Sequence, residues 1–162
     1  MEIKPEELIY KLQNGAQLPQ GNLFVVYGEE DYYRQQIITA LPETLFQGVD
    51  SADRAITSFD KDTDLNELAS IINTYPFFSG QSLVVLKDEK LLAAKAESEA
   101  RKQQLDKLAD ILSDIPDYCT VLVSASKLDK RTCALNRFRN LLRAFRMVRC
   151  RGGRIRIGYK AA

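Results

Sequence analysis

The chain has 162 residues, a formal net charge of +1 and no histidine, and its length fits one domain or one domain with a tail. Without histidine, Ser-His and Cys-His nucleophile pairs are excluded. There is no run of eighteen apolar residues and no signal peptide, and the three cysteines form no Cys-x-x-Cys pair. We therefore expect a cytoplasmic protein with reduced thiols, no membrane span and no metal site.

Buried strands alternate with helices along the first 130 residues. Apolar runs predict strands at 23–27, 54–59, 82–87 and 119–123. Helical spacing and capping residues predict a helix opening at Pro5, one that Pro42 ends, one capped by Thr63 or Asp64, one spanning 91–113 and one beginning at Asp129. The alternation predicts an α/β fold with a mostly parallel sheet of about five strands flanked by helices.

The turn after the first strand lacks a phosphate-binding loop. A P-loop requires the pattern G-x-x-x-x-G-K-[ST], whereas this turn reads Gly28-Glu29-Glu30-Asp31. Carboxylates complement the positive end of a helix but repel a triphosphate. The sequence therefore predicts a nucleotide-binding architecture without ATP hydrolysis, and we expect no cofactor, no catalytic residue and no intrinsic enzymatic activity.

An alternative function rests on acidic residues near the predicted strand ends. Glu30, Asp31 and Asp60, together with Lys127, are similar to the magnesium-binding acid pocket of phospho-accepting receiver domains. However, Asp60 follows the second predicted strand, whereas receivers use the third, and the 91–113 helix is too long. Helix caps and solvated surface acids are the simpler interpretation.

Two adjacent phenylalanines, Phe77 and Phe78, lie in a short connection between a predicted helix and a predicted strand. Pro76 ends the helix and Gly80 marks a turn. Neighbouring side chains on a short turn cannot easily both point into one core, and burying a Phe contributes about 1.5–3 kcal/mol. Either both rings fold back under the helix, or they enter the pocket of a partner protein.

Basic residues concentrate towards the end of the sequence. Residues 133–162 carry eight arginines, one lysine and no acid, which gives +9 and leaves −8 for residues 1–132. Nucleic-acid contact, partner contact and a shifted reading frame all remain open for this segment. The candidate contact residues are Lys127, Lys130, Arg131, Arg137 and Arg139, although the first three also fit a capped helix start.

Three blocks in order resemble the delta subunit of the bacterial DNA polymerase III clamp loader. They are GNLFVVYGEEDY at 21–32, PFFSGQSLVVL at 76–86, and VLV at 121–123 leading into KLDKR at 127–131. The resemblance implies an AAA+-like, non-hydrolysing, clamp-binding domain over residues 1–132. The lid and collar domains of the family are not expected within these 162 residues, so the chain is expected to be a fragment or a truncated product.

The same resemblance implies a function in DNA replication, within a DNA-directed DNA polymerase holoenzyme. In this family an apolar pair enters the hydrophobic pocket of the sliding clamp (the beta subunit) and opens one of its interfaces. Carried over, the pair is Phe77 and Phe78, and Pro76, Ser79 and Gly80 shape the tip. Other clamp-loader subunits are implied as partners, and DNA is a further candidate partner.

Overall fold

The computed structural model describes residues 5–15, 22–93 and 98–126 and the backbone of 148–150. Five helices and five strands follow one another in these residues: α1 Pro5–Gln13, β1 Leu23–Gly28, α2 Asp31–Leu45, β2 Ala55–Phe59, α3 Leu65–Ile72, β3 Ser82–Leu86, α4 Glu89–Ala93, α5 Glu99–Ser113, β4 Cys119–Ala125 and β5 Val148–Cys150. A 3-10 turn, Ser51–Asp53, precedes β2.

The strands form one parallel sheet in the order β2-β3-β4-β1-β5. Four strands make up most of it, and the three-residue β5 pairs with the end of β1. The predicted α/β fold with a mostly parallel sheet is thereby confirmed. Since parallel neighbours require crossover connections, each helix lies on one of the two sheet faces.

Two apolar clusters cover the two faces of the sheet. On one face, α3 and α5 pack through residues such as Leu68 and Leu108, and on the other α1 and α2 pack through Leu8 and Leu41. Successive side chains of a strand point to opposite faces, so Leu122 of β4 joins the second cluster while its neighbours on either side join the first. Burial on both faces explains why β1, β3 and β4 consist mainly of apolar residues. At the edge of the sheet, β2 is only partly buried and carries Thr57 and Ser58.

The prediction that Pro42 ends the second helix is wrong. Helix α2 continues through Pro42 to Leu45, and the Phe46 N–H donates to the Pro42 carbonyl at 2.9 Å. A proline inside a helix removes a hydrogen bond and clashes with the preceding turn. Burial of Leu41 and Phe46 on either side outweighs this local cost.

The single helix predicted over 91–113 is also wrong, because α4 ends at Ala93 and α5 begins at Glu99. Ser98 is the N-cap of α5, and its hydroxyl accepts a hydrogen bond from the Arg101 N–H at 3.2 Å. Serine competes for backbone donors in this way and favours helix starts over helix interiors.

Asp64 caps α3 as predicted, since its carboxylate accepts from the Asn66 N–H at 2.8 Å. The helix predicted to begin at Asp129 lies outside the described residues. None of the helices in the described part of the chain is long and apolar enough to cross a membrane.

Candidate functional site

The connection between α3 and β3 forms a tight turn at the amino end of the sheet. The Gly80 N–H donates to the Pro76 carbonyl at 3.1 Å, and Gly80 has a φ of +68°. A Cβ at Gly80 would meet no atom within 4 Å, so the backbone conformation, not lack of space, requires glycine here. We refer to residues 76–80 as the tip.

Both tip phenylalanines lie outside the core. Phe77 is 89% exposed and Phe78 is 86% exposed, so the interpretation in which both rings fold back under the helix is wrong. Leaving two such side chains in water forgoes the free energy of burying them. Adjacent exposed aromatic rings are typical of a surface that binds another protein.

Hydrogen bonds on both sides hold the tip against the sheet. The Ser79 hydroxyl donates to the Gln81 carbonyl at 2.7 Å, and the Gln81 side-chain amide donates to the Leu45 carbonyl at the end of α2. On the other side, the Ser82 N–H donates to the Tyr118 carbonyl at 2.8 Å. The tip is therefore anchored to α2 and to the start of β4.

Two tyrosines that were not among the predicted site residues extend this support. The ring of Tyr75 lies edge-on to Phe77, with centroids 6.1 Å apart, and to Tyr118, at 5.2 Å. The Tyr118 hydroxyl donates to the Asn73 carbonyl at 2.8 Å. The available signal was the position of Tyr118 directly before a predicted strand, but only the pairing of β3 with β4 brings it to the tip.

The opposite, carboxyl end of the sheet is closed by polar contacts. The side chain of Arg34, only 11% exposed, pairs with Asp31 at 3.0 Å and with Glu89 at 3.3 Å. Glu89 also accepts from the backbone N–H and the hydroxyl of Ser126, at 2.8 and 3.0 Å. Carboxylates from β1–α2 and β3–α4 thus occupy the edge where a nucleotide's phosphates would bind.

Asp88 lies beside this cluster and is almost fully buried. Its carboxylate accepts from the Thr63 N–H at 3.0 Å, the Thr63 hydroxyl at 2.8 Å and the Leu91 N–H at 3.1 Å. Burial raises the pKa of Asp88, but these hydrogen bonds to the ionised form outweigh it and hold the pKa below its ordinary value. Asp88 therefore joins the loop before α3 to the start of α4.

The acids of the proposed receiver-like pocket do not come together. Three strand spacings separate β2 from β1, about 14 Å, so Asp60 lies far from Glu30 and Asp31. Asp60 pairs instead with Lys87 at 3.2 Å. Within the described ranges, no three His, Cys, Asp or Glu residues are grouped so that they could hold a metal ion, and Lys127 lies outside those ranges.

The other basic candidates also lie outside the described residues: Lys130, Arg131, Arg137 and Arg139. Their contact with nucleic acid or with a partner protein stays a prediction. Of the cysteine side chains, the structure describes Cys119, which is buried in β4. Burial raises the pKa of its thiol, so Cys119 is a packing residue and not a nucleophile.

A family model described as DNA polymerase III, delta subunit, matches residues 24–151. The chain belongs to the DNA polymerase III delta subunit family. The resemblance carried by the three sequence blocks is thereby confirmed. The delta-subunit match continues past residue 132 and includes β5.

A solved structure shows the same fold. The Bacillus subtilis DNA clamp loader delta protein (YqeN) superposes with a TM-score of 0.62 at 19% sequence identity, over 83% of this chain and 40% of that protein. The chain thus spans well under half the length of that delta protein. No curated protein matches the chain.

Proposed function

We propose that this delta-family chain is a clamp-binding module that inserts Phe77 and Phe78 into an apolar pocket of the sliding clamp, the beta subunit. The observation that carries the proposal is the exposure of both rings, 89% and 86%, on an anchored turn. Pro76, Ser79 and Gly80 shape that turn. The carboxylates at the opposite end of the sheet support a module that does not itself bind nucleoside triphosphate.

The tip contributes enough free energy to matter for clamp opening. Burial of one Phe contributes about 1.5–3 kcal/mol, so two rings contribute at least about 3 kcal/mol, or about 100-fold in Kd. A ligand shifts an equilibrium only by its difference in affinity for the two states. The clamp opens if the pocket accepts both rings better beside an open interface than beside a closed one.

In the complete clamp loader, other subunits bind ATP and control access to the tip. The acidic turn after β1, where Glu30 stands at the N-cap of α2, supports this division of labour. The protein then acts in the cytoplasm as one subunit of the replicative assembly, and its partners are the clamp and the remaining loader subunits.

The double substitution Phe77→Ala, Phe78→Ala is expected to weaken binding to the sliding clamp of the same organism about 100-fold. Affinity is measured by titration calorimetry or surface plasmon resonance with the full 162-residue chain. The matched control is Tyr10→Ala, Tyr32→Ala, which removes two aromatic rings that are 66% and 68% exposed but lie away from the tip.

The control variant is expected to bind the clamp with unchanged affinity. Equal affinities for the wild-type chain and the Phe77→Ala, Phe78→Ala variant would show that the tip is not part of the interface. Both variants are expected to remain folded, because neither pair of side chains contributes to the core. Thermal unfolding of both variants checks this.

A further inference from the structure

The two tip phenylalanines are equally exposed but not equally held. The Phe77 ring meets the edge of Tyr75 at 6.1 Å, with the two rings inclined at 88°. Phe78 makes no ring contact within the described part of the chain. Edge-to-face pairs prefer centroid separations of 4.5–7 Å, so the Tyr75 contact favours one orientation of Phe77. No ring contact in the described residues does the same for Phe78.

Tyr75 is itself supported from the core side. Its ring meets Tyr118 at 5.2 Å and 77°, and Tyr118 packs against the core cluster of α3 and α5. The Tyr118 hydroxyl donates to the carbonyl of Asn73, the C-cap residue of α3. The backbone carbonyl of Tyr118 accepts from the N–H of Ser82 at the start of β3. Side chain and backbone of Tyr118 are thus both fixed.

We infer that Tyr75 and Tyr118 are positioning residues, which hold the Phe77 ring in its binding orientation before the clamp arrives, whereas Phe78 becomes ordered only on binding. The inference rests on the proposed function of the tip. Immobilising a free side chain at an interface reduces affinity. A ring that is already oriented avoids that loss, so the tyrosines strengthen clamp binding without entering the pocket.

A double-mutant cycle separates this role from direct contact with the clamp. Tyr75→Leu is expected to weaken clamp binding about 3- to 10-fold in the wild-type chain. In a Phe77→Ala background the same substitution should change affinity less than about 2-fold, because the ring that it positions is gone. In a Phe78→Ala background the full effect should remain.

Tyr118 gives a second, matched pair of variants. Tyr118→Leu removes the ring that supports Tyr75 and is expected to repeat the loss seen with Tyr75→Leu. Tyr118→Phe keeps that ring and removes only the hydroxyl that bonds Asn73, so it should retain most of the affinity. An undiminished Tyr75→Leu effect in the Phe77→Ala background would overturn the positioning role, because Tyr75 would then act on the clamp directly.

Failure of the proposed function has a different signature: Phe77→Ala, Phe78→Ala would leave clamp affinity unchanged. The orientation of Phe77 can then still be measured without a clamp. In NMR spectra of the free chain, the ring protons of Phe77 should be displaced from random-coil positions and those of Phe78 should not. Tyr75→Leu should move the ring-proton chemical shifts of Phe77 to the values seen for Phe78. Random-coil chemical shifts for both rings in the wild-type chain would refute the inference.

Discussion

Replacement of Asp88 by alanine is expected to lower the free energy of unfolding by about 3–5 kcal/mol. Asp88 is 3% exposed, and it accepts hydrogen bonds from the N–H and hydroxyl of Thr63 and from the N–H of Leu91. Removal of the carboxylate leaves these donors at a buried site without their acceptor, and water cannot replace it at full strength. Urea denaturation at pH 7 measures the loss.

The matched control is Asp60→Ala, which removes an acid from the loop after the neighbouring strand. Asp60 is mainly exposed and pairs with the partly exposed Lys87, so its loss should cost less than about 0.5 kcal/mol. Similar unfolding free energies for the two variants would show that Asp88 does not join α3 and α4. Asp88→Asn keeps one acceptor oxygen, so its unfolding free energy should lie between those of Asp88→Ala and the wild-type chain.

Asp88 should also give the protein an acid-sensitive stability. Its pKa in the folded state lies below the ordinary value of 3.8, so the ionised form is favoured by folding. Such a group stabilises the protein fully above its unfolded pKa, and the contribution is lost as pH falls through the folded pKa. Unfolding free energy measured between pH 6 and pH 2 should therefore fall more steeply in the wild-type chain than in Asp88→Asn.

Equal slopes of unfolding free energy against pH in the two proteins would contradict the assignment. Glu43 is the control for this measurement, because its pKa is also lowered, by a hydrogen bond from Arg54 and by the charge of that guanidinium. Glu43 lies on an exposed helix surface, where solvent screens the pair. Glu43→Gln should change the acid slope little.

Three strands of the sheet, β1, β3 and β4, were predictable because they are buried on both faces. Runs such as Leu83-Val84-Val85-Leu86 admit few other structures between turn residues, and the Asp64 cap follows from side-chain chemistry close in sequence. The errors at Pro42 and before α5 arose where local rules compete. Tertiary packing overrides the proline, and the serine cap at Ser98 divides a pattern that periodicity alone presents as continuous.

The candidate site was also predictable only in part, because some of its residues are brought together by tertiary structure and not by neighbouring sequence. Two adjacent aromatics on a short turn indicate exposure, and Phe77 and Phe78 are exposed. Tyr118 is 41 positions further along the chain than Phe77, and it reaches the tip through the register that pairs Ser82 with Cys119. Strand register depends on the whole sheet, so no local pattern reveals this support.

A second large loss of stability is expected when the chain is shortened at residue 132, the predicted domain boundary. Strand β5 pairs Val148 with Val26 and Cys150 with Gly28, and it covers the outer edge of the buried strand β1. Shortening the chain to residues 1–132 removes β5 and leaves that edge without a partner strand. With about 1 kcal/mol for each lost backbone hydrogen bond, the free energy of unfolding should fall by about 3 kcal/mol, which urea denaturation measures.

The uncovered edge should also promote self-association of the 1–132 chain, because an unpaired apolar strand is a template for pairing with a second copy. Sedimentation velocity at increasing concentration detects this. A chain that ends at Gly152 retains β5 and is the control; it should remain as stable as the full chain, although it lacks Arg154 and Arg156.

If the 1–132 chain proves monomeric and equally stable, the domain ends where the arginine-rich sequence begins, and β5 contributes nothing to it. If only the 1–132 chain is destabilised, the segment that carries β5 is part of the folded domain, and a shifted reading frame after residue 132 no longer explains its composition.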